Sequence, residues 1–159
     1  MQPVKLANRT LNILIVEDDI TIADLLAEAV EAEGHIVIGV ARTVREALRL
    51  ADLYPPDVAI IDLHLANGDL GTEVAAHLSK TTRAKILFSS GNSCDPALAN
   101  SGGDAVLTKP YRIEDIGRAL NLLDQMAPDG RSDLILPRNF RFLSAAGSVP
   151  DCRRVQAEI

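Results

Sequence analysis

A chain of 159 residues has room for one domain with a full core but not for two of ordinary size. It is 47% hydrophobic and only 3% aromatic, so the core must be built from Ala, Leu, Ile and Val, as in layered α/β proteins. A formal charge of −6 argues against a sequence-independent grip on nucleic acid, which needs clustered Lys and Arg, and no run approaches the roughly 18–20 apolar residues of a membrane span.

Asn12 to Val16 is a continuous apolar run rich in β-branched residues, the pattern of a strand covered on both faces. It stops at Glu17-Asp18-Asp19. From Ile20 to Glu33 the positions Ile22, Leu25, Leu26, Ala29 and Val30 recur at helical spacing, with Asp19 as a capping acid and Gly34 as the stop. The unit repeats: Ile36 to Ala41 is a strand, and Thr43 opens a helix through a capping box completed by Glu46, which Pro55-Pro56 ends. Asp57 to Asp62 is a third strand with a carboxylate at its end, followed by a Gly-containing loop and a short helix from about Thr72 to Ser79.

Lys85 to Ser90 reads as the fourth strand, 94–100 as a short helix, and Asp104 to Thr108 as the fifth strand, followed by Lys109-Pro110. Arg112 to Met126 is the last helix, with Ile113, Ile116, Leu120 and Leu123 on one face. Five successive βα units predict a parallel sheet covered on both sides, a doubly wound five-stranded sheet of order 2-1-3-4-5 in the flavodoxin-like group. The domain is expected over 11–126. Residues 127–159 form an extension, too short for an output domain and richer in arginine (Arg131, Arg138, Arg141, Arg153, Arg154). Its apolar pieces, Leu134 to Leu136 and Phe140 to Leu143, should dock on the domain surface away from Asp62 and could support a homodimer.

In such a sheet the ligand crevice lies beyond the carboxyl ends of the strands. Glu17 and Asp18 stand at the end of the first strand, Asp62 of the third, Ser90 of the fourth and Lys109 of the fifth. Three converging carboxylates repel unless a cation joins them, and an oxygen-only ligand set suits Mg²⁺. One Asp62 oxygen would stay free as a nucleophile toward phosphorus, with Lys109 as a second clamp on the transferred group.

In order and spacing these residues resemble the receiver domains of two-component response regulators. The resemblance covers 11–126. It implies Asp62 as phosphoacceptor, Glu17, Asp18 and Asp62 as metal ligands together with the main-chain carbonyl of His64, Ser90 as the switch hydroxyl, and a cis Lys109-Pro110 bond. It also implies a histidine kinase or histidine phosphotransfer protein as phosphodonor and a downstream protein partner, while the net charge and the lack of a long apolar run point to neither nucleic acid nor membrane as a target. Val106 stands where the family usually carries an inward-turning Tyr or Phe. Phe88-Ser89-Ser90-Gly91 is similar to the Phe-Ala-Thr-Gly run of a subgroup that is often stand-alone and served by HWE-type kinases.

An aspartyl phosphatase of the haloacid-dehalogenase type would place a second Asp two residues after its nucleophile, where this chain has His64. A receiver-like domain that binds partners without being phosphorylated is the third reading. The expectation is a phosphoacceptor signalling protein, not a turnover enzyme, and a cytoplasmic one, since Met1 to Asn12 has no signal-peptide pattern. Cys94 and Cys152 lack metal-site spacing and read as free thiols. His35 and His77 read as surface histidines.

Overall fold

A computed structural model describes residues 9–125 and 136–143. Its central sheet runs β2-β1-β3-β4-β5-β6. The strands are β1 (Asn12–Val16), β2 (Ile36–Ala41), β3 (Val58–Asp62), β4 (Lys85–Ser90), β5 (Ala105–Thr108) and β6 (Phe140–Phe142). The first five pair in parallel in the expected order, and β6 adds antiparallel to β5.

The strictly five-stranded parallel sheet expected from the sequence is therefore corrected to a six-stranded mixed one. The sixth strand has only three residues, too few for a periodic signal, and Pro137 separates it from the preceding apolar piece. Its alternation is nonetheless that of a strand. Phe140 and Phe142 pack on the same core cluster with their rings 4.9 Å apart and perpendicular, while Arg141 lies opposite Val106. Leu134, Ile135 and Met126 lie outside the described residues.

The helices are α1 (Ile20–Ala32), α2 (Val44–Leu53), α3 (Gly71–Thr81) and α4 (Ile113–Asp124). Strand alternation divides the core between two layers. Ile13, Ile15, Val58, Ile60 and Leu87 face α1 and α4, whereas Leu14, Val16, Ala59, Ile61, Ile86 and Phe88 face α2 and α3. This two-sided burial is why β1, β3 and β4 read as unbroken apolar runs, each fully buried aliphatic side chain contributing about 1.5–3 kcal/mol.

Local chemistry sets the helix ends. Asp19 accepts from the Thr21 and Ile22 amides, at 2.9 and 3.2 Å, and Gly34 stops α1 at φ 84°. Thr43 Oγ1 accepts from Glu46 N at 3.2 Å, and the Glu46 carboxylate reaches back to Arg42 N at 2.9 Å, one residue before the position a capping box would use.

The helix expected at 94–100 is reduced to one 3-10 turn, Pro96–Leu98, begun by Asp95 accepting from Ala97 N at 2.9 Å. Asn100 at φ 56° and Gly102 at φ 82° turn the chain before a helix can extend. Two further expectations change. His35 is buried, its Nδ1 accepting from the Leu11 amide at 3.1 Å, and Cys94 is disulfide-bonded, not a free thiol. Cys152 lies outside the described residues. His77 Nε2 faces Asp52 at 3.2 Å.

Candidate functional site

The carboxyl ends of β1, β3, β4 and β5 bring Glu17, Asp18, Asp62, Ser90 and Lys109 to one sheet edge. Glu17 extends β1 by one hydrogen bond, from its amide to the Ala41 carbonyl at 2.9 Å, which fixes its backbone beside β2. Asp62 closes β3 and is buried. One oxygen from each of Glu17, Asp18 and Asp62 falls within 4.8 Å of the others.

The Lys109 ammonium lies 3.6 Å from Asp62 Oδ2 and 3.7 Å from Glu17 Oε2. It is carried there by the Lys109 amide, which donates to the Ser90 carbonyl at 2.7 Å and ties the end of β5 to that of β4. The Lys109-Pro110 bond is cis, as the resemblance implied.

Glu17 is 1% exposed, and burial, assisted by the nearby negative charge of Asp62, pushes its carboxyl up to about 7. The Asp19 amide, which donates to Glu17 Oε1 at 3.1 Å, and the Lys109 ammonium pull the other way. Glu17 Oε2 is buried without a hydrogen-bond partner. An orphaned carboxylate oxygen beside two further carboxylates, with no thiolate or imidazole nitrogen in the group, fits a hard divalent cation such as Mg²⁺.

The loop after Asp62 folds back over it. His64 N donates to Asp62 Oδ1 at 3.3 Å, and Gly71 N to the Leu63 carbonyl at 2.8 Å. A Cβ at Gly71 would stand 2.3 Å from the Asp62 carbonyl oxygen and 2.5 Å from Ile61 Cγ2, so only glycine lets α3 begin this close to the pocket. The His64 ring does not turn into the carboxylate cluster. Its Nε2 lies 2.7 Å from Asp95 Oδ2, spanning to the loop after β4.

Ser90 Oγ donates to the Asn92 carbonyl at 3.0 Å and accepts from the Asn92 amide at 3.1 Å, a turn that holds the hydroxyl at the strand end. Sequence reasoning missed a neighbour of the pocket, Tyr111. Its hydroxyl lies 3.0 Å from Ser89 Oγ and within the field of Lys109, Glu17 and Asp62. Its position two residues after Lys109 was a usable signal.

Fold and site together define an acidic pocket at the strand ends of a flavodoxin-like sheet, and comparison with known proteins identifies its family. Residues 13–121 match the response regulator receiver domain, and the chain belongs to that family, a class of two-component phosphoacceptor signalling domains.

The transcriptional regulatory protein PdtaR of Mycobacterium tuberculosis is 33% identical over 114 residues, covering 69% of this chain and 55% of PdtaR. The phyllosphere-induced regulator PhyR of Methylorubrum extorquens is 40% identical over 83 residues, 52% of this chain and 31% of PhyR. Among solved structures, the receiver domain of a modulated diguanylate cyclase from Desulfovibrio desulfuricans superposes with a TM-score of 0.64 at 27% identity, covering 73% of this chain and 94% of that one. The PhyR response regulator of Brucella abortus gives 0.62 at 25% identity, over 70% and 46%. The chain spans about half the length of PdtaR, and less of PhyR. Among the described residues no helix is long and apolar enough to cross a membrane.

Proposed function

We propose that this chain accepts a phosphoryl group on Asp62 from a phosphohistidine of a histidine kinase or phosphotransfer protein. The observation that carries the reading is the Lys109 ammonium at 3.6 Å from Asp62, beside the orphaned buried oxygen of Glu17. An Asp62 carboxylate oxygen attacks phosphorus, the P–N bond to the donor imidazole breaks, and the imidazole leaves with the electron pair and takes a proton from solvent. Lys109 offsets the negative charge that gathers on the transferred oxygens, and the Ser90 hydroxyl donates to one of them.

Glu17, Asp18, Asp62 and the His64 carbonyl would hold Mg²⁺, which when bound supplies charge neutralisation for the phosphoryl oxygens. Hydrolysis returns the carboxylate: water attacks phosphorus, the acyl O–P bond breaks and inorganic phosphate leaves. The Phe88-Ser89-Ser90-Gly91 run and Val106 support a kinase of the HWE type as donor. The output is contact with another protein, or onward transfer of the phosphoryl group.

The test is stoichiometric labelling by acetyl phosphate, read by intact mass. One phosphoryl group should appear only with Mg²⁺, and Asp62→Asn should remove it. A mutant labelled at the parent rate would refute the assignment.

A further inference from the structure

Val106 leaves the pocket without the aromatic the family usually places there, yet an aromatic hydroxyl does reach the pocket floor from another direction. Tyr111 follows the cis Lys109-Pro110 bond in the loop before α4. Its hydroxyl meets the Oγ of the buried Ser89 at 3.0 Å.

Ser89 lies in register with Asp62 on adjacent strands, and the Leu63 amide donates to its carbonyl at 3.0 Å. Side chains directly opposite each other on neighbouring strands share a sheet face. Ser89 therefore lies beside Asp62 on the face covered by α1 and α4, whereas Ser90, one residue on, points to the other face.

The other end of Tyr111 is apolar. Its ring packs against the cluster under α1 and α4 and walls an apolar cavity of 240 Å³ bounded by Ile22, Leu26, Ile113 and Ile116, with Lys109 also on its lining. Burial holds the phenol above its ordinary range, so at neutral pH the hydroxyl is protonated and can donate to Ser89 or accept from it. A charge change on Asp62, or a shift of the Lys109 ammonium toward a phosphoryl group, would alter the field at this hydroxyl pair, and the ring would carry the response to the groove.

We propose that Tyr111 is a positioning residue of the phosphoacceptor pocket: through Ser89 it sets the pocket floor beside Asp62 and couples the state of Asp62 to the groove between α1 and α4. The inference rests on the phosphoacceptor reading above.

The test uses the full chain. Tyr54 and Tyr111 are its two tyrosines and it has no tryptophan, so Tyr54→Phe, at an exposed position, leaves Tyr111 as the main fluorophore. Tyr111→Phe keeps the ring and its packing. It and Ser89→Ala should each slow labelling by acetyl phosphate about fivefold, and the double variant should be no slower than either, because both remove one hydrogen bond. In the Tyr54→Phe chain, Mg²⁺ with beryllofluoride should shift Tyr111 emission, and Ser89→Ala should abolish the shift.

Tyr111→Phe labelling at the parent rate, additive effects in the double variant, or constant emission while intact mass shows a labelled parent chain would each overturn the inference and leave the phosphoacceptor reading standing. A parent chain that takes no label would overturn both.

Discussion

Arg141, in β6, donates from its guanidinium to the main-chain carbonyl of Ser93, so the sixth strand grips the loop that begins directly after Ser90. The same arginine stands in register with Val106, and its buried Nε has no partner. The guanidinium thus lies beside the position where the family places its aromatic.

Replacing Arg141 with Ala should free the loop without touching the carboxylates. We expect a loss of stability of about 1.5–3 kcal/mol, the scale of one charge-assisted hydrogen bond, with faster amide exchange at 91–101. Exchange in that segment equal to the parent's would show that β6 does not restrain it.

The carboxyl of Glu17 supplies a pH dependence with a definite sign. Its folded value, about 7, lies above the ordinary glutamate value, so the stability it contributes is fully present below pH 4 and is lost as pH rises through 7. The metal-free chain should therefore be less stable at pH 8 than at pH 5.5, by about 2 kcal/mol. Chemical denaturation at the two pH values checks this, and Glu17→Gln should flatten the difference.

Gly71→Ala should cost about 3 kcal/mol, the upper part of the overpacking range, because the new Cβ meets the Asp62 carbonyl and a side chain wedged between strand and helix. The melting temperature measures the cost. A melt unchanged from the parent would mean that α3 can retreat from the pocket freely.

The strand ends and the acidic cluster were legible in the sequence because each rests on local pattern. Buried parallel strands are unbroken apolar runs, and the residue that ends such a run stands at the crevice, which is how Glu17, Asp62 and Lys109 could be placed. What was not legible depends on tertiary partners. His35 looks like a loop residue until the Leu11 amide is seen to need its ring nitrogen. Tyr111 looks like a turn aromatic until Ser89 is known to face it. The three residues of β6 acquire a periodicity only once β5 offers them an edge.

Asp95 is held below its ordinary carboxylate value, first by the Ala97 amide and then by His64. A depressed acid contributes stability that is present above its unfolded value and lost as pH falls through the folded one. Acidification below about pH 4 should therefore loosen the turn at Pro96–Leu98 before the rest of the domain. Asp95→Asn should produce the same loosening at neutral pH. Amide exchange at Ala97 and Leu98 reports both, and protection unchanged by either treatment would contradict the account.

The sixth strand also decides how the molecule meets its own kind. Unpaired strand edges template pairing between chains, and proteins cover or disrupt them. With Phe140–Phe142 laid along β5, the described sheet ends at β2 on one side, where Ile36 and Val40 are exposed, and at the three-residue β6 on the other. Any change that detaches β6, whether a cut before Leu136 or the loss of its aromatic pair, would bare the edge of β5 and the part of the core that Phe140 and Phe142 cover. The first symptom of such a variant would be self-association and precipitation at working concentration, arriving before any defect in its chemistry.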